Sequence, residues 1–536
     1  MSFLIEPQTS LGQPLEQLLA GADSAPAFIS DGNTITRGEL RQAAADAAQG
    51  LAALGFKRGD ALALWLPNGA AWLQLLFACA RLGVLIVPIS TRYKAAEVKH
   101  LLTVSRARGI AAPKRFLDTD YAAIARSLLG EVSTLEQVIE QDDLTSFMRF
   151  EVSATQLCTP PDAHAGSATD LLCCFSTSGT TGLPKLAAHN HASIARHARY
   201  VAQTLDIGAG DAMLCVLPLF GVFGFMTMLG ALAGGGVCVS LPVFDADEAA
   251  HAIAQHGITH VIGADTMFES MFKVPNTDFS TWRRAVQADF TGVAIPVTQR
   301  GDELGIQFSG TYGSSECYSL MSFHDWNASV AQRAKSGGVP IDPQILVRVA
   351  DPESGRILAE GEPGELQIRG PNVLDGYLNN PDATANAMTA DGWYRSGDLG
   401  FQEGAGFVYL ARMGDSLRLR GYLVNPTEIE NCLVQHANVG GAQVVGVKRP
   451  GAGDIAIAYV IKADAADAMT PDEAALLAHC RERMAAYKVP RRIVIIDAFP
   501  ILNGPNGNKI QKRVMREWAS ELIEAQAAAP SDAQPA

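Results

Sequence analysis

The sequence predicts an α/β fold, with a large N-terminal domain of layered α/β sheets followed by a smaller α+β C-terminal domain. Residues 27–113 alternate short apolar runs, typical of buried strands, with helical patterns. Strand, helix and strand in this order, with continuously apolar strands, predict parallel pairing with both faces of the sheet covered. The chain has 536 residues, more than one hydrophobic core usually serves, so we expect at least two domains.

The composition fits a compact enzyme. Hydrophobic residues make up 48% of the chain and charged residues 18%, unlike a disordered protein. The formal net charge of −14 argues against a nucleic-acid-binding surface. The 9 cysteines show no metal-ligand spacing and are typical of reduced thiols, and residues 1–19 lack the basic and apolar regions of a secretory signal. We therefore expect a cytoplasmic protein.

One uncharged stretch is long enough to imitate a membrane span. Residues 212–244 contain no charged side chain and exceed the ~20 residues that cross a bilayer. Pro218 and several glycines divide the stretch into pieces of strand, turn and helix length. We expect a buried interior and no membrane span.

Helical and strand patterns alternate from residue 36 onward. Thr36 and Glu39 have capping-box spacing and begin a helix that ends near Leu54. The next predicted elements are a strand at 61–66, a helix at 70–82 and a strand at 84–88, and the alternation continues at 97–104. Residues 114–169 show little pattern, and an apolar strand follows at 171–175.

The loop after this strand carries hydroxyl groups, two glycines and one lysine. Its residues are Thr177, Ser178, Gly179, Thr180, Thr181, Gly182, Leu183, Pro184 and Lys185. Backbone N–H groups and hydroxyls donate to phosphate oxygens, glycines allow close approach of the backbone, and lysine adds a positive charge. Leu186 follows the lysine, unlike the common P-loop, where Ser or Thr follows it. By itself the loop is also compatible with a flexible turn.

A helix is predicted at 189–201, with histidines at 189, 191 and 197. These histidines could form a metal site, but we expect them to be solvated on the helix surface. Farther along, residues 217–225 form an apolar run with a proline and three phenylalanines, and 258–262 is a plausible strand.

Three later stretches combine residue types that suit nucleotide chemistry. They are Gly310–Glu316, Gly392–Gly400 and Asn506–Arg513. The first ends in a carboxylate, a ligand that Mg²⁺ takes together with phosphate oxygens. The second holds Asp398 in a glycine-flanked turn, where a carboxylate can accept both hydroxyls of a ribose, and the third is basic. Each stretch alone could be a strand end or a solvated turn.

In this order the stretches resemble the superfamily of AMP-forming acyl-CoA synthetases, adenylation domains and luciferases, over roughly residues 27–515. The resemblance implies that the 177–185 loop binds phosphates and that Tyr312 stacks on adenine. It places Ser315 near the α-phosphate and assigns Glu316 to Mg²⁺ and to catalysis.

The same resemblance assigns Asp398 to the ribose hydroxyls, and Arg412 to both the catalytic and the cofactor-binding residues. Lys509 matches the lysine that reaches the site during adenylation. Asn508 is interposed in that motif, so Lys512 is an alternative register.

The resemblance also implies an acyl pocket lined by Phe220, Gly221, Phe223 and Thr311. Many relatives carry histidine where Gly221 stands, and a small residue there would enlarge the pocket. A second departure is the stretch 287–290, Gln-Ala-Asp-Phe, where relatives have a Gly-Ala-Pro turn that frames the adenine. The resemblance therefore leaves adenine recognition open.

The chain is expected to divide after Arg412, by the same resemblance. Gly414 and Asp415 fall at the family's hinge, and Ala411 replaces its glycine. We expect a large ATP- and acyl-binding domain at 1–412, a small mobile domain at 413–524 and a disordered tail at 525–536. The small domain has predicted helices starting after Asn425 and at 470–486, and predicted strands at 444–447, 455–461 and 492–496.

The implied reaction has two steps. A carboxylic acid and ATP give acyl-adenylate and pyrophosphate, and CoA then takes the acyl group and releases AMP. Two alternatives stay open: a free-standing enzyme that loads a carrier protein, and a nucleotide-binding homologue without catalysis. The sequence does not identify the acid or the oligomeric state.

Overall fold

The computed structural model describes residues 15–30, 32–144, 146–150, 166–177, 184–290, 292–413, 417–419, 422–424, 426–449, 453–464, 469–484, 486, 488–504 and 507–528. The chain separates into two compact units. The first comprises residues 1–346 and 368–394, and the second 347–367 and 395–536. The predicted hinge residues Gly414 and Asp415 lie outside the described residues, so a boundary after Arg412 stays a prediction.

The α-helices are α1 (Arg37–Ala53), α2 (Ala70–Leu82), α3 (Ala95–Ser105), α4 (Tyr121–Ser127), α5 (His191–Leu205), α6 (Val222–Gly234), α7 (Ala246–Gln255), α8 (Asp265–Phe272), α9 (Ala294–Glu303), α10 (Val330–Arg333), α11 (Pro381–Asn386), α12 (Pro426–Val434), α13 (Glu473–Arg483) and α14 (Lys512–Ala528).

The strands are β1 (Pro26–Ser30), β2 (Asn33–Thr36), β3 (Ala61–Leu64), β4 (Leu85–Pro88), β5 (Gly109–Pro113), β6 (Gln137–Gln141), β7 (Leu171–Thr177), β8 (Lys185–Asn190), β9 (Ala212–Cys215), β10 (Val237–Ser240), β11 (His260–Ala264), β12 (Arg284–Ala288), β13 (Gln307–Ser314), β14 (Tyr318–Phe323), β15 (Gly337–Pro340), β16 (Leu346–Ala350), β17 (Gly364–Arg369), β18 (Gly376–Tyr377), β19 (Tyr394–Glu403), β20 (Gly406–Arg412), β21 (Leu417–Leu419), β22 (Tyr422–Val424), β23 (Val439–Arg449), β24 (Gly453–Lys462), β25 (Arg492–Ile495), β26 (Ile501–Gly504) and β27 (Gly507–Ile510).

The first unit contains two large sheets. One has the order β18-β8-β7-β4-β3-β5-β6, and the other runs β15-β14-β13-β12-β11-β9-β10-β1-β2. The strands β3, β4 and β5 pair in parallel, and so do β9 to β13 with one another in the second sheet. Leu62 and Leu64 belong to one hydrophobic core, whereas Ala61, Ala63 and Trp65 belong to another. Both faces of this sheet are therefore covered, which confirms the predicted α/β architecture.

The second unit has its own strands and cores. The strands β16, β17, β19 and β20 are neighbours in that order, β21 to β25 form a five-stranded sheet, and β26 pairs with β27. Helices α12 and α13 contribute Ile429, Leu433 and Leu476 to the core of the five-stranded sheet. Helix α14 continues to Ala528, so residues 525–528, predicted as part of a disordered tail, are helical. Residues 529–536 lie outside the described part of the chain.

Local sequence rules account for several element ends. Thr36 Oγ1 accepts from the N–H of Glu39 at 3.2 Å, and Glu39 Oε2 accepts from the N–H of Thr36 at 2.8 Å, which confirms the predicted capping box. The uncharged stretch 212–244 forms β9, α6 and β10, as predicted. No helix among the described residues is long and apolar enough to cross a membrane. All 8 described cysteines are free.

The histidines at 189, 191 and 197 correct one prediction. His189 lies in β8 rather than in the helix, and all three residues are buried, so none is solvated. Among the described residues, no group of three or more His, Cys, Asp or Glu could hold a metal ion. The reason is tertiary: strand β8 and helix α5 are covered by β14 and its neighbours, which a helical pattern alone does not indicate.

Burial keeps these imidazoles neutral. It lowers the pKa of His189, His191 and His197 from 6.5 to about 4 in each case. In the unfolded chain the same groups take up protons as the pH falls through 6.5, whereas in the folded chain they do so only near pH 4. Stability is therefore lost as the pH falls from 6.5 towards 4, at about 1.4 kcal/mol per pKa unit per group.

We predict that His197→Gln weakens this pH dependence. The urea midpoint of the wild-type protein should fall steeply between pH 6.5 and 4.5, and that of His197→Gln less steeply, because one group no longer titrates. His251→Gln on α7, which replaces an exposed histidine, should keep the wild-type dependence. An unchanged slope for His197→Gln would contradict the assignment.

Candidate active site

The predicted phosphate loop is framed by two adjacent strands. Thr177 ends β7 and Lys185 begins β8, and the two residues are directly opposite in this antiparallel pair. The loop therefore connects two neighbouring strand ends on the same side of the sheet. Its central residues, Ser178, Gly179, Thr180, Thr181 and Gly182, lie outside the described residues.

Lys185 contacts an aromatic ring that the sequence analysis did not single out. Its Nζ lies 4.2 Å from the centroid of the Tyr377 ring, a cation–π contact. The hydroxyl of Tyr377 donates to Glu316 Oε1 at 2.9 Å. Tyr377 thus joins the lysine of the phosphate loop to the carboxylate assigned to Mg²⁺. It belongs to the two-residue strand β18, which pairs with β8, and no local sequence pattern indicates that pairing.

Glu316 is held by its backbone as well as by its side chain. Its N–H donates to Ser314 Oγ at 3.2 Å, its C=O accepts from the N–H of Leu374 at 2.7 Å, and the residue is 8% exposed. A single oriented carboxylate fits Mg²⁺, which binds one or two carboxylates and takes its other ligands from phosphate oxygens and water. Glu316 is therefore a residue that could hold this ion.

The glycines of the Gly310–Glu316 stretch are required by close backbone packing. A Cβ at Gly310 would overlap the carbonyl oxygen of Lys335, and one at Gly313 would overlap that of Tyr318. Tyr312 is 5% exposed at the end of β13, and Ser315 Oγ lies 3.5 Å from the carbonyl oxygen of Ser176, next to the phosphate loop. The structure thus brings this stretch and the base of the loop together.

Two predicted site residues of the second unit, Asp398 and Arg412, lie next to each other. They are paired across β19 and β20, and Arg412 Nε lies 3.1 Å from Asp398 Oδ1. Arg412 also donates to the carbonyl oxygen of Ser396 at 3.1 Å, and the N–H of Asp398 donates to Ser396 Oγ at 3.0 Å. The carboxylate is oriented by charge and can accept hydroxyl groups.

Of the predicted acyl-pocket residues, Phe220, Phe223 and Thr311 are buried and Gly221 is half-buried. Phe220 is 8% and Phe223 4% exposed, and the hydroxyl of Thr311 donates to the carbonyl oxygen of Ser322 at 3.0 Å. Gly221 precedes α6 with φ −99° and ψ 144°, which any residue can adopt. The backbone therefore does not require glycine here, and the missing side chain is the feature that matters.

Asn68 was not predicted as a functional residue but supports this segment. Its side chain donates to the carbonyl oxygen of Leu217 at 3.0 Å and accepts from the N–H of Leu219 at 2.8 Å. The residue is 8% exposed. It fixes the backbone just before Phe220 from 150 residues away in sequence, a contact that only the fold reveals.

Residues 287–290, the stretch compared above with the Gly-Ala-Pro turn of relatives, form hydrogen bonds that hold neighbouring elements together. Gln287 is buried, and its Nε2 donates to Thr298 Oγ1 at 2.6 Å and to the carbonyl oxygen of Ala294 at 3.1 Å, tying β12 to α9. Asp289 Oδ1 accepts from the N–H of Gly292 at 2.8 Å, which closes a turn.

The two candidate lysines differ in their surroundings. Lys512 Nζ lies 2.9 Å from Glu430 Oε1, which also accepts from the N–H of Val444 at 2.8 Å. Lys509 lies in β27, opposite Leu502 in a two-stranded hairpin, and its side chain lies outside the described part.

Comparison with known proteins identifies the family. The family model for AMP-binding enzymes matches residues 15–378, and the model for the AMP-binding enzyme C-terminal domain matches 428–503. The chain belongs to the AMP-binding enzyme family. The expected family is thereby confirmed, with both domains matched.

Relatives of this AMP-binding enzyme are CoA ligases. It is 32% identical to a feruloyl-CoA synthase of Amycolatopsis sp. over 89% of this chain and 93% of that protein. It is 32% identical to a methyl-dioxo-octahydroindenyl-propanoyl:CoA ligase of Mycobacterium tuberculosis over 94% and 97%. The ATP-bound MatB structure from Rhodopseudomonas palustris shares the fold, with a TM-score of 0.82 at 24% identity, covering 96% of this chain and 100% of that one.

The predicted enzyme class and cofactors are confirmed by this membership. The chain is an AMP-forming acyl-CoA synthetase, which activates a carboxylic acid with ATP and Mg²⁺ and uses CoA as co-substrate. Family membership favours this activity over the alternative of nucleotide binding without catalysis.

We predict that Tyr377→Phe slows acyl-adenylate formation about tenfold, because a hydrogen bond to a charged group is lost. Pyrophosphate release at saturating ATP and acid measures this. Tyr121→Phe is the matched control, since the Tyr121 hydroxyl also makes a part-buried hydrogen bond, to the carbonyl oxygen of Thr91 at 2.6 Å. Equal rates for both variants would argue against a role for the Tyr377 hydroxyl.

Proposed function

We propose that Lys185, Tyr377 and Glu316 act together on the phosphate chain of ATP during adenylation. The contact of Lys185 with Tyr377, and the bond from Tyr377 to Glu316, carry this proposal. A lysine ammonium attracts phosphate oxygens as a point charge, and an oriented carboxylate offers a hard oxygen ligand. Bound Mg²⁺ would neutralise phosphate charge beside Glu316.

The proposed chemistry follows from this arrangement. A carboxylate oxygen of the acid attacks the α-phosphorus, the bond to the β-phosphate oxygen breaks, and pyrophosphate leaves. The CoA thiol then loses its proton to solvent, its sulfur attacks the acyl carbon, and AMP leaves. Positioning and charge neutralisation dominate the first step, because the transfer itself needs little covalent assistance from the protein.

The remaining roles are proposed from the resemblance to the family. Tyr312 stacks on the adenine, Ser315 and the 177–185 loop donate to phosphate oxygens, and Asp398 accepts the ribose hydroxyls. The pairing of Asp398 with Arg412 supports an oriented carboxylate. We place the division of the chain after Arg412, with Gly414 and Asp415 as the hinge of a mobile C-terminal domain.

Lys509 is the proposed adenylation lysine rather than Lys512. The ion pair of Lys512 with Glu430 supports this choice, because only 22% of the Lys512 side chain is exposed and its ammonium is already engaged. Lys509 stabilises the negative charge that develops on the phosphates and is then withdrawn before CoA reacts.

We predict that Lys509→Ala and Lys512→Ala separate these roles. Lys509→Ala should slow acyl-adenylate formation at least about a hundredfold and leave thioester formation from preformed acyl-adenylate within about threefold. Lys512→Ala should lower thermal stability and leave both half-reactions near wild type. The reverse pattern would assign the role to Lys512, and equal loss of both half-reactions by Lys509→Ala would exclude it.

The acid is proposed to be a bulky, mainly apolar monocarboxylic acid. Phe220 and Phe223 are buried aromatic side chains, Gly221 has no side chain, and the hydroxyl of Thr311 is engaged by Ser322. None of these four residues could balance a second carboxylate, whose desolvation would be costly. The ring-bearing acids in the names of two relatives agree with this proposal.

We predict that Gly221→Leu discriminates between acids by size. The kcat/KM for a cinnamic-type acid should fall at least about tenfold and that for butanoate less than about threefold, because the new side chain occupies acyl space and the backbone tolerates it. Gly208→Leu is the control, since a Cβ there would meet only ordinary contacts. Equal losses for both acids would contradict the pocket assignment.

We propose CoA as the acceptor of the acyl group and the cytoplasm as the location of the enzyme. CoA is the acceptor by family, and a carrier protein would be favoured if acyl-adenylate accumulated without thioester in the presence of CoA. The free cysteines suit a reducing cytoplasm.

A further inference from the structure

Two buried residues just after Glu316 have left-handed backbones. Tyr318 and Leu320, in β14, both have φ +60°, and both are fully buried. This conformation is uncommon for residues other than glycine, and it persists where the surroundings hold it in place. The local chain therefore depends on contacts from elsewhere in the fold.

The ring of Tyr318 contacts the rings of two histidines. The ring centroid lies 4.2 Å from that of His189 and 4.9 Å from that of His197. The hydroxyl of Tyr318 lies 2.7 Å from Ser193 Oγ. Strand β8 and helix α5 thus contact this side chain at its ring and at its tip, and we refer to the two histidines as the clamp.

The same histidines also hold the backbone on either side of Tyr318. His189 Nε2 lies 2.7 Å from the carbonyl oxygen of Ser315, and His197 Nε2 lies 2.8 Å from that of Ser319. Carbonyl oxygens only accept, so each Nε2 carries the donated proton. The two bonds bracket Glu316, which lies directly after Ser315.

Gly313 packs closely against the backbone of the same segment. A Cβ there would overlap the carbonyl oxygen of Tyr318, so the backbones of these residues are in close contact. Asn372 adds a further bond, from its Nδ2 to the carbonyl oxygen of Cys317 at 2.9 Å. The course of residues 313–319 is therefore determined from several sides.

We propose that Tyr318, held by its contacts with His189 and His197, is a positioning residue that sets the backbone carrying Glu316 for acyl-adenylate formation. The proposal rests on the proposed role of Glu316. Tyr318 itself does not touch substrate and acts through the segment that it orders. A ring that only filled the core would affect stability and leave the two half-reactions in their wild-type ratio.

The test compares Tyr318→Leu, Tyr318→Phe and Phe77→Leu in the full-length protein. Phe77, in α2, is a fully buried ring that is distant from this segment in sequence, so Phe77→Leu controls for loss of core volume. Pyrophosphate release measures acyl-adenylate formation, thioester formation from preformed acyl-adenylate measures the second half-reaction, and thermal unfolding measures stability.

Tyr318→Leu should lower kcat for adenylation about tenfold or more, with thioester formation within about threefold, because small displacements of a positioned group have large effects on rate. Tyr318→Phe keeps the clamped ring and should stay within about threefold of wild type. Phe77→Leu should lower the unfolding temperature and leave both rates in their wild-type ratio.

Several results would overturn the proposal: Tyr318→Leu behaving like Phe77→Leu, both half-reactions falling equally, or Tyr318→Phe losing as much as Tyr318→Leu. Where Tyr318→Leu does not fold, His197→Gln removes one ring of the clamp and is judged by the same criteria.

Glu316→Gln separates the proposed role of Glu316 in adenylation from the proposed positioning role of Tyr318. If it leaves adenylation unchanged, the role of Glu316 fails, whereas a loss in Glu316→Gln but not in Tyr318→Leu rejects the clamp alone.

Discussion

The hydrogen bond from Tyr377 to Glu316 is the interaction on which the rest of the site depends. It joins the end of β13 to a two-residue strand, and the same ring contacts Lys185 at the start of β8. Three segments that are distant in sequence thus meet at the phenol ring of Tyr377. A carboxylate and an ammonium are held near each other without a direct ion pair between them, which leaves both charges oriented for a phosphate chain and its cation.

Buried polar groups surround this bond and restrict its freedom. The neutral imidazoles of His189 and His197 donate to main-chain carbonyls, and Gly310 and Gly313 allow neighbouring backbones to pass without a Cβ in the way. Burying such groups is favourable only when they are hydrogen-bonded. Burial of these neutral imidazoles lowers stability at acidic pH. The same contacts give the segment around Glu316 one defined backbone course.

Sequence reasoning succeeded where chemistry is concentrated in short stretches. The capping box at Thr36 and the uncharged stretch 212–244 are local, and the structure confirms both. The family expected from the order of the motifs is confirmed by the family models. It failed for the histidines near residue 190, because a helical pattern does not say which face another sheet will cover. Asn68 and Tyr377 were also missed, since their partners are distant in sequence.

The sequence by itself determined the family, the reaction class and the residue types available for it, because motif order and side-chain chemistry are readable one segment at a time. Tertiary structure alone decided which of these groups meet: Lys185 with Tyr377, Tyr377 with Glu316, and Lys512 with Glu430. The physical reason is that hydrogen bonds and ring contacts act over a few ångströms, and only chain folding brings distant residues within that range.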